Sequence, residues 1–259
     1  MSDKSAVRTH FDLYANTWSD RLKQYPYFAR FKAVERRVRK INPKRIADIG
    51  CGTGDYCLLF DPAKVDYVGI DISEKMVATA KALYPQYQFR VGDSEAIGLP
   101  DGDRDIALDV AVIEYYNDPK PHFKELHRVV SPGGTIIMTA PNGSNRSRQI
   151  EGVLERFSET ALGCWIKRVL GRDKKTAAPG NAIEVLHNRY TLDDIVRYAN
   201  QFGLAFVDKA YVNIRLLPES FGLIHHMNVF VSRCIEDRPA WEWLSKWTAT
   251  ILVVQLKKK

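Results

Sequence analysis

The sequence of 259 residues has few cysteines, no long apolar run and no tract of simple composition. Its four cysteines, Cys51, Cys57, Cys164 and Cys234, are not spaced in pairs and have no neighbouring histidine, so we expect neither a metal site nor a disulfide framework. A membrane-spanning helix needs about 18 or more consecutive apolar residues, and none occurs. The first residues also lack the apolar core of a secretory signal. These absences predict a cytoplasmic protein.

Positive charge is concentrated in one segment of the chain. The formal net charge is +7, and residues 21–45 hold ten Lys or Arg against one acidic residue, Glu35. This favours one local positive face over a nucleic-acid surface spread across the protein. Two interpretations stay open: a helix packed on a sheet with a solvated basic back, or a helix that contacts anionic lipid, phosphates or RNA. The apolar residues that predict this amphipathic helix are Phe28, Phe31, Val34, Val38 and Ile41.

Short apolar runs alternate with helical segments along most of the chain, which predicts right-handed βαβ units and a parallel sheet covered on both faces. Ser73 and Thr191 are predicted to cap helices, and Gly203 to end one. The predicted strands are Arg45–Gly50, Val65–Ile70, Tyr87–Val91, Asp105–Ile113, Gly134–Ala140, Ala205–Arg215 and Thr248–Leu256. The other predicted helices are Gly54–Phe60 and Pro119–Val130.

The most informative local pattern is IADIGCGTGDY, directly after the first strand. Glycines there let the backbone pass close beneath a ligand and turn into a helix whose first amides face it. The spacing fits neither the G-x-G-x-x-G fingerprint nor a P-loop. Asp71 ends the second strand, where a carboxylate accepts hydrogen bonds from ribose hydroxyls, and Asp93 follows the third. Together these features predict a nucleoside ligand at the carboxyl edge of the sheet.

The sequence resembles the class I S-adenosylmethionine-dependent methyltransferases, in particular the group that includes enzymes of ubiquinone and menaquinone biosynthesis. The resemblance covers about residues 46–142 and depends on IADIGCGTG, GIDIS, GDSEAIGLPDGDRDIAL, VIEYYNDP and ELHRVVSPGGTIIMTAPN in that order. It implies an α/β fold with a doubly wound, Rossmann-like sheet of seven mostly parallel strands and an antiparallel last strand. A helical cap over 1–44 would precede a main domain over 45–259, with a helical lid inserted after the fifth strand at about 142–190.

The resemblance also implies S-adenosylmethionine as the cofactor and S-adenosylhomocysteine as the product. The glycine loop would line the methionine half of the cofactor, and the acids after the second and third strands would bind its ribose and adenine. The N-terminal segment often closes over the cofactor in this family. The residues expected to bind the cofactor are Asp48, Gly50, Gly52, Gly54, Asp71, Ile72, Asp93, Ser94, Tyr14 and Trp18.

Methyl transfer from a sulfonium is an in-line displacement, so the protein mainly supplies proximity and orientation. A general base is needed only for a nucleophile that arrives protonated. Members of the family usually have a Glu-His pair after the fourth strand, and this chain has Glu114 followed by Tyr115, which removes that candidate base. The candidates for contacting or activating the acceptor are Tyr115, Tyr116, His187, Tyr190 and His10.

We therefore predict a methyltransferase that acts on a small-molecule acceptor, with a prenylated or aromatic metabolite or a lipid favoured. A second amphipathic stretch, residues 150–170, favours a contact with an anionic membrane surface, although a lid helix explains the same residues. A different possibility is an RNA or protein methyltransferase that docks through residues 21–45. The sequence VIEYYNDP lacks the Asn/Asp-Pro-Pro-Tyr/Phe motif of base-amino methyltransferases, so nucleic acid is not expected as a partner. The sequence is also compatible with a non-catalytic cofactor-binding partner or sensor, and with an enzyme that uses the sulfonium for different chemistry.

Overall fold

The computed structural model describes residues 4–146, 187–215, 222–235 and 238–259, and the statements below concern those ranges. Seven strands form a single sheet: β1 (Arg45–Ile49), β2 (Asp66–Asp71), β3 (Gln88–Val91), β4 (Arg104–Val110), β5 (Val130–Pro141), β6 (Leu204–Ile214) and β7 (Ala249–Lys258). Their order is β3-β2-β1-β4-β5-β7-β6. Neighbouring strands are parallel except that β7 runs antiparallel to β5 and to β6. The predicted fold class is confirmed.

Helices cover both faces of the sheet. The α-helices are α1 (Lys4–Tyr14), α2 (Tyr25–Ile41), α3 (Glu74–Leu83), α4 (Lys120–Val129), α5 (Leu192–Gln201), α6 (Gly222–Ile235) and α7 (Glu242–Thr248). Apolar residues of α2 and α3 pack into the core on one face, and those of α4, α5 and α6 into the core on the other. In these ranges, no helix has both the length and the apolar character needed to cross a bilayer.

Local sequence sets several element boundaries. Helix α3 begins after Ser73, whose hydroxyl accepts from the Met76 amide at 3.1 Å, and α5 begins after Thr191, which forms a reciprocal capping box with Asp194. Both predicted caps are confirmed. The predicted helix at 54–60 was wrong in type, because only a short 3₁₀ helix forms over Asp55–Leu59.

The fourth strand was predicted three residues too long. It ends at Val110 because the next residue, Ala111, has a φ of 60°, outside the extended region. The chain then forms a 3₁₀ turn over Ile113–Tyr115. This turn places Glu114 and Tyr115 beyond the carboxyl edge of the sheet.

Helix α2 packs on the sheet, but its buried side differs from the prediction. Phe28 is 47% exposed, and Ala29 and Ala33 are buried instead. Arg37, expected on a solvated back, is only 5% exposed because it donates to the Asp208 carboxylate of β6 at 2.7 Å. The predicted lid and the amphipathic stretch at 150–170 lie outside the described residues.

Candidate active site

A cavity of about 280 Å³ lies where β1, β2, β3 and β4 end. Helix α1 and the segment after it cover one side, and the first half of α2 closes another. The predicted site residues that line the cavity are His10, Trp18, Gly50, Gly52, Asp71, Ile72, Asp93, Ser94, Tyr115, Tyr116 and His187. Lining residues that were not among the predicted site residues include Lys4, Phe11, Arg21, Tyr27, Arg30, Tyr56 and Glu114.

The glycine loop after β1 forms a surface that side chains would fill. Gly50 has a φ of +68°, and a Cβ atom there would lie 2.3 Å from Cγ2 of Val112. A Cβ on Gly52 would lie 3.2 Å from Nε1 of Trp18. The loop is held in place because the Gly50 and Cys51 amides donate to the Ile70 carbonyl at 2.7 and 3.1 Å. Backbone is therefore exposed to the cavity at this point.

Asp71 lies at the end of β2 with its carboxylate fixed by two backbone amides. Gly52 donates to one oxygen at 2.8 Å, and Ser73 donates to the other at 2.9 Å. The side chain is nearly buried, and this burial raises the pKa of Asp71. Each carboxylate oxygen has capacity for a further hydrogen bond, so the group can accept from two neighbouring hydroxyls.

Asp93 and Ser94 line the cavity beyond the end of β3. The Asp93 carboxylate accepts from the Glu95 amide at 2.9 Å and pairs with the Lys4 ammonium of α1 at 2.6 Å. Lys4 also pairs with Glu95. Ser94 and Tyr116 share a hydrogen bond between their hydroxyls. An N-terminal helix thus contacts the same acids that were predicted from the sequence.

Buried side chains of His122 and Asp109 pack behind Tyr116. Its ring stacks on the imidazole of His122 with the ring centroids 5.0 Å apart. His122 Nε2 lies 3.1 Å from the Asp109 carboxylate, and both side chains are fully buried. Burial lowers the pKa of His122, but the negative charge of Asp109 outweighs it and the pKa is raised. His122, a possible base by residue type alone, therefore lies behind the cavity wall.

Four predicted site residues are not among those that line the cavity, and their predicted roles stay predictions. Asp48 is buried beneath the loop and accepts from the Tyr67 hydroxyl at 2.6 Å, and burial raises its pKa to about 7. Gly54 packs against the ring of Phe89. Tyr14 lies against the guanidinium of Arg21, and the Tyr190 hydroxyl donates to the Tyr116 carbonyl at 3.2 Å.

His187 reaches the site from a distant part of the chain. Its Nδ1 lies 3.5 Å from Oε1 of Glu114, and its ring centroid is 5.0 Å from that of Tyr115. The next residue, Asn188, holds this arrangement because its amide donates to the Glu114 carbonyl at 2.8 Å and its side chain donates to the Tyr116 carbonyl. The chain therefore has a Glu-His pair in space, although it lacks one in sequence.

Two arginines also face the cavity. Arg30 of α2 is close enough to Tyr56 and Glu114 for both to stabilise its charge, and its buried Nε has no hydrogen-bond partner among the described residues. Arg21 lies 3.9 Å above the ring of Trp18. The apolar spacing of α2 leaves Arg30 on the polar side of the helix. Tyr27 lies one turn earlier, and residues three apart share a helix face. This aromatic residue is the sequence signal that could have assigned Arg30 to the cavity wall.

Comparisons with known proteins match this part of the chain. Residues 47–138 fit the family model described as a methyltransferase domain. An S-adenosylmethionine-dependent methyltransferase of Mycolicibacterium smegmatis is 30% identical over 117 residues, 45% of this chain and 46% of that protein. A demethylmenaquinone methyltransferase of Chlorobaculum parvum is 28% identical over 148 residues, 53% of this chain and 61% of that protein. The chain spans about half the length of the curated relatives that it matches.

The whole fold also has solved counterparts. An S-adenosylmethionine-dependent methyltransferase from Thermotoga maritima superposes with a TM-score of 0.59 at 17% identity, covering 97% of this chain and 99% of that one. The fold is that of the class I methyltransferases. Residues 47–138 are similar to the methyltransferase domain that the motifs predicted. This domain and fold imply S-adenosylmethionine as the cofactor, as the motifs also predicted.

The residues present fit that cofactor. Asp71 has acceptor capacity for a ribose, and Gly50 and Gly52 line the cavity with backbone alone, along which a methionine chain can lie. Arg30 supplies a buried positive charge with an unsatisfied donor, which suits a carboxylate. The chemistry of the cavity wall thus agrees with the domain.

Proposed function

We propose that the chain transfers a methyl group from S-adenosylmethionine to a small-molecule acceptor and releases S-adenosylhomocysteine. The observation that carries the proposal is the single cavity in which Asp71, the glycine loop and the Glu114–His187 pair meet. One part of its wall suits a nucleoside and the other suits a nucleophile that must lose a proton. A site for binding the cofactor alone would need only the first part.

In this proposal, Asp71 accepts from the ribose hydroxyls, and Asp93 with Ser94 contacts the adenine edge. Arg30 binds the carboxylate of the methionine chain, which would satisfy its buried donor and balance its charge. When bound, the cofactor supplies a methyl group activated by its sulfonium. The chain then has to hold the acceptor in line and exclude water from the cavity.

The acceptor we propose has an apolar or aromatic body and one protonated nucleophilic atom. Aromatic side chains of Phe11, Tyr27 and Tyr115 supply flat apolar walls. His187 is half-exposed at the mouth, with Glu114 on its inner side. A proton taken by the imidazole can therefore pass to solvent, while the carboxylate orients the ring.

The names of the relatives support a small acceptor of this kind. The Chlorobaculum protein is named for demethylmenaquinone, a quinone that fits a cavity with aromatic walls. The amino-acid sequence and these names leave the methylated atom open. Oxygen, nitrogen and carbon acceptors therefore all belong in the test.

The test is release of S-adenosylhomocysteine by the purified chain, supplied in parallel with lipid-extract, polar-metabolite and RNA fractions of a cell lysate. We expect turnover with lipid extract. Turnover with RNA alone would overturn the small-molecule proposal, and cofactor binding without turnover in any fraction would favour a sensor.

Asp71→Ala tests the cofactor part separately. Loss of its charge-assisted hydrogen bonds should weaken binding of S-adenosylhomocysteine by about 1.5–3 kcal/mol, roughly tenfold to a hundredfold. Asp61→Ala is the matched control, because Asp61 is a solvent-facing acid paired with Lys64 outside the cavity. Equal affinity of the two variants by calorimetry would show that the ribose is bound elsewhere.

A further inference from the structure

Positive charge that the cavity does not use gathers along the edge strand of the sheet. A groove of about 550 Å³ follows β6, with α2 on one side and α7 on the other. Its acidic lining residues are Asp208, paired with Arg37 at 2.7 Å, and Glu242, paired with Lys209 at 2.8 Å. The six basic lining residues are Arg36, Arg37, Arg39, Lys40, Lys209 and Arg238. Among the described residues, and counting Glu35, which pairs with Arg39, basic groups outnumber acidic ones six to three.

Large apolar side chains are exposed on α7, which forms one side of this groove, and on α6. Trp243 of α7 is 63% exposed and Phe230 of α6 is 67% exposed. Trp241, Trp247 and Met227 are also exposed. Tryptophan and phenylalanine are usually buried in soluble domains, so a group of exposed ones indicates an interaction surface.

The groove and the aromatic residues belong to one region of the surface. Helix α7 contributes Glu242 to the groove and carries Trp243 one residue later. The Trp241 amide donates to the carbonyl of Arg238, a groove residue, at 3.0 Å. Helix α6 contacts the other end of α2, where the guanidinium of Arg233 lies 5.6 Å from the Tyr25 ring, so the region consists of the groove with Trp241 and Trp243. We call this region the basic–aromatic face.

We propose that the basic–aromatic face docks on the surface of an anionic lipid bilayer. Basic side chains would lie among the headgroup phosphates, and Trp241 and Trp243 would enter the interfacial layer. The excess of positive charge is complementary to such a surface. An RNA backbone would use the same charges, but the exposed side chains of Trp241 and Trp243 suit the interfacial layer of a bilayer better than phosphates alone.

The docked geometry would bring the cavity to the lipid. Helix α2 carries Tyr27 and Arg30 of the cavity in its first half and the groove residues Arg36 and Lys40 in its second. At 1.5 Å rise per residue, these groups are separated by roughly 9–20 Å along the helix. A bilayer-bound α2 therefore holds the cavity near amphiphilic acceptors. The docking itself does not depend on the proposed methyl transfer.

The experiment is vesicle sedimentation of the full chain without cofactor. We expect binding to vesicles in which about a third of the lipid is phosphatidylglycerol, and at least tenfold weaker binding to phosphatidylcholine alone or at high salt. Tryptophan fluorescence should shift to shorter wavelength on binding. Failure of methyl transfer would leave these results unchanged, so the two proposals can fail separately.

Two pairs of variants test the two parts of the face. The first double variant, Lys40→Glu with Arg238→Glu, removes basic charge from the face. The second, Trp241→Ala with Trp243→Ala, removes its exposed aromatic side chains. We expect each double variant to weaken vesicle binding about tenfold or more. The controls are Lys120→Glu with Lys124→Glu on α4, and Leu83→Ala on α3, which should bind as the unmodified chain does. The proposal would be overturned if neutral vesicles were bound as well as anionic ones. It would also be overturned if either test pair left vesicle binding unchanged, or if the chain bound an RNA oligomer but not vesicles.

Discussion

The two halves of the cavity are built in different ways. The half that we propose for the cofactor uses backbone amides and short side chains at the ends of β1, β2 and β3, within residues 48–94, together with Arg30 of α2. The half that we propose for the acceptor uses long side chains, Tyr27, Glu114 and His187, from three separate parts of the chain. The first half is fixed by the sheet, and the second depends on how distant segments pack.

The first half is therefore built from features that the fold itself fixes, and the second half from side chains particular to this chain. Strand register fixes Asp71 relative to the loop, since Gly52 donates directly to it. The Glu114–His187 pair instead depends on Asn188, whose hydrogen bonds attach a distant segment to the turn after β4. Changes in the cofactor half should therefore affect folding and binding together, and changes in the acceptor half should affect turnover alone.

The largest effect should come from Gly50→Ala. The new Cβ would lie 2.3 Å from Cγ2 of Val112, a β-branched side chain with little rotational freedom, and the residue would keep a φ of +68°. We expect a loss of about 3 kcal/mol in the free energy of unfolding and no detectable cofactor binding. Urea denaturation and calorimetry measure the two effects.

Gly98→Ala is the matched control for that prediction. Gly98 has a φ of +67° but no atom within 4 Å of its Cβ position, so only the backbone cost of roughly 1 kcal/mol applies. If the two variants were destabilised equally, Val112 would have to move aside at little cost in free energy. The cofactor half would then be less rigid than its contacts indicate.

His187→Asn should remove turnover while leaving the fold intact. Loss of a general base typically lowers the rate by about a hundredfold or more. Binding of S-adenosylhomocysteine should not change, because His187 contacts Glu114 and Tyr115 rather than the cofactor residues. The decisive measurement is kcat for methyl transfer by the variant beside its affinity for S-adenosylhomocysteine.

His127→Asn on α4 serves as the control for His187, since His127 is not among the residues that line the cavity. A His187 variant with full turnover would leave the acceptor half without a base. The nucleophile would then have to arrive already deprotonated.

The fold was predictable because most of its information is local. Thr191 followed three residues later by Asp194 specifies a helix start, and the short apolar runs each specify a buried parallel strand. The end of β4 was not predictable in this way. Ala111 takes a left-handed conformation that its side chain disfavours, and its amide donates to the Thr139 side chain of β5.

The positions of Arg30, Arg37 and His187 could not be predicted from the sequence, because their contacts are long-range. Helical periodicity separates apolar from polar positions but does not distinguish a solvated arginine from one paired in the core. Arg37 is buried by Asp208 on β6, and Arg30 is turned toward a cavity that only the assembled sheet creates. The sequence shows that no histidine follows Glu114, but it does not show that His187 lies beside Glu114 in the folded chain.

Asp48→Asn tests the buried support of the cofactor half. The folded pKa of Asp48 is about 7, against about 3.9 in an unfolded chain, so the folded protein binds more protons between those values. The free energy of unfolding should therefore fall as pH rises from 5 to 8, by on the order of 2 kcal/mol from this group. The Asn variant should lack this slope in urea titrations, whereas parallel curves would mean that Asp48 is ionised throughout.

Lys4→Ala should have the smallest effect, because its ion pairs with Asp93 and Glu95 are partly solvated. Such pairs contribute about 0.2–1 kcal/mol and weaken with salt. We expect cofactor affinity to fall less than about fivefold, with faster dissociation, since Lys4 helps to hold α1 over the cavity. Lys23→Ala, which breaks a pair with Asp20 outside the cavity, should leave affinity unchanged. Tighter binding by the Lys4 variant would instead mean that Lys4 competes with the cofactor for Asp93, and that α1 must move before the cofactor half is complete.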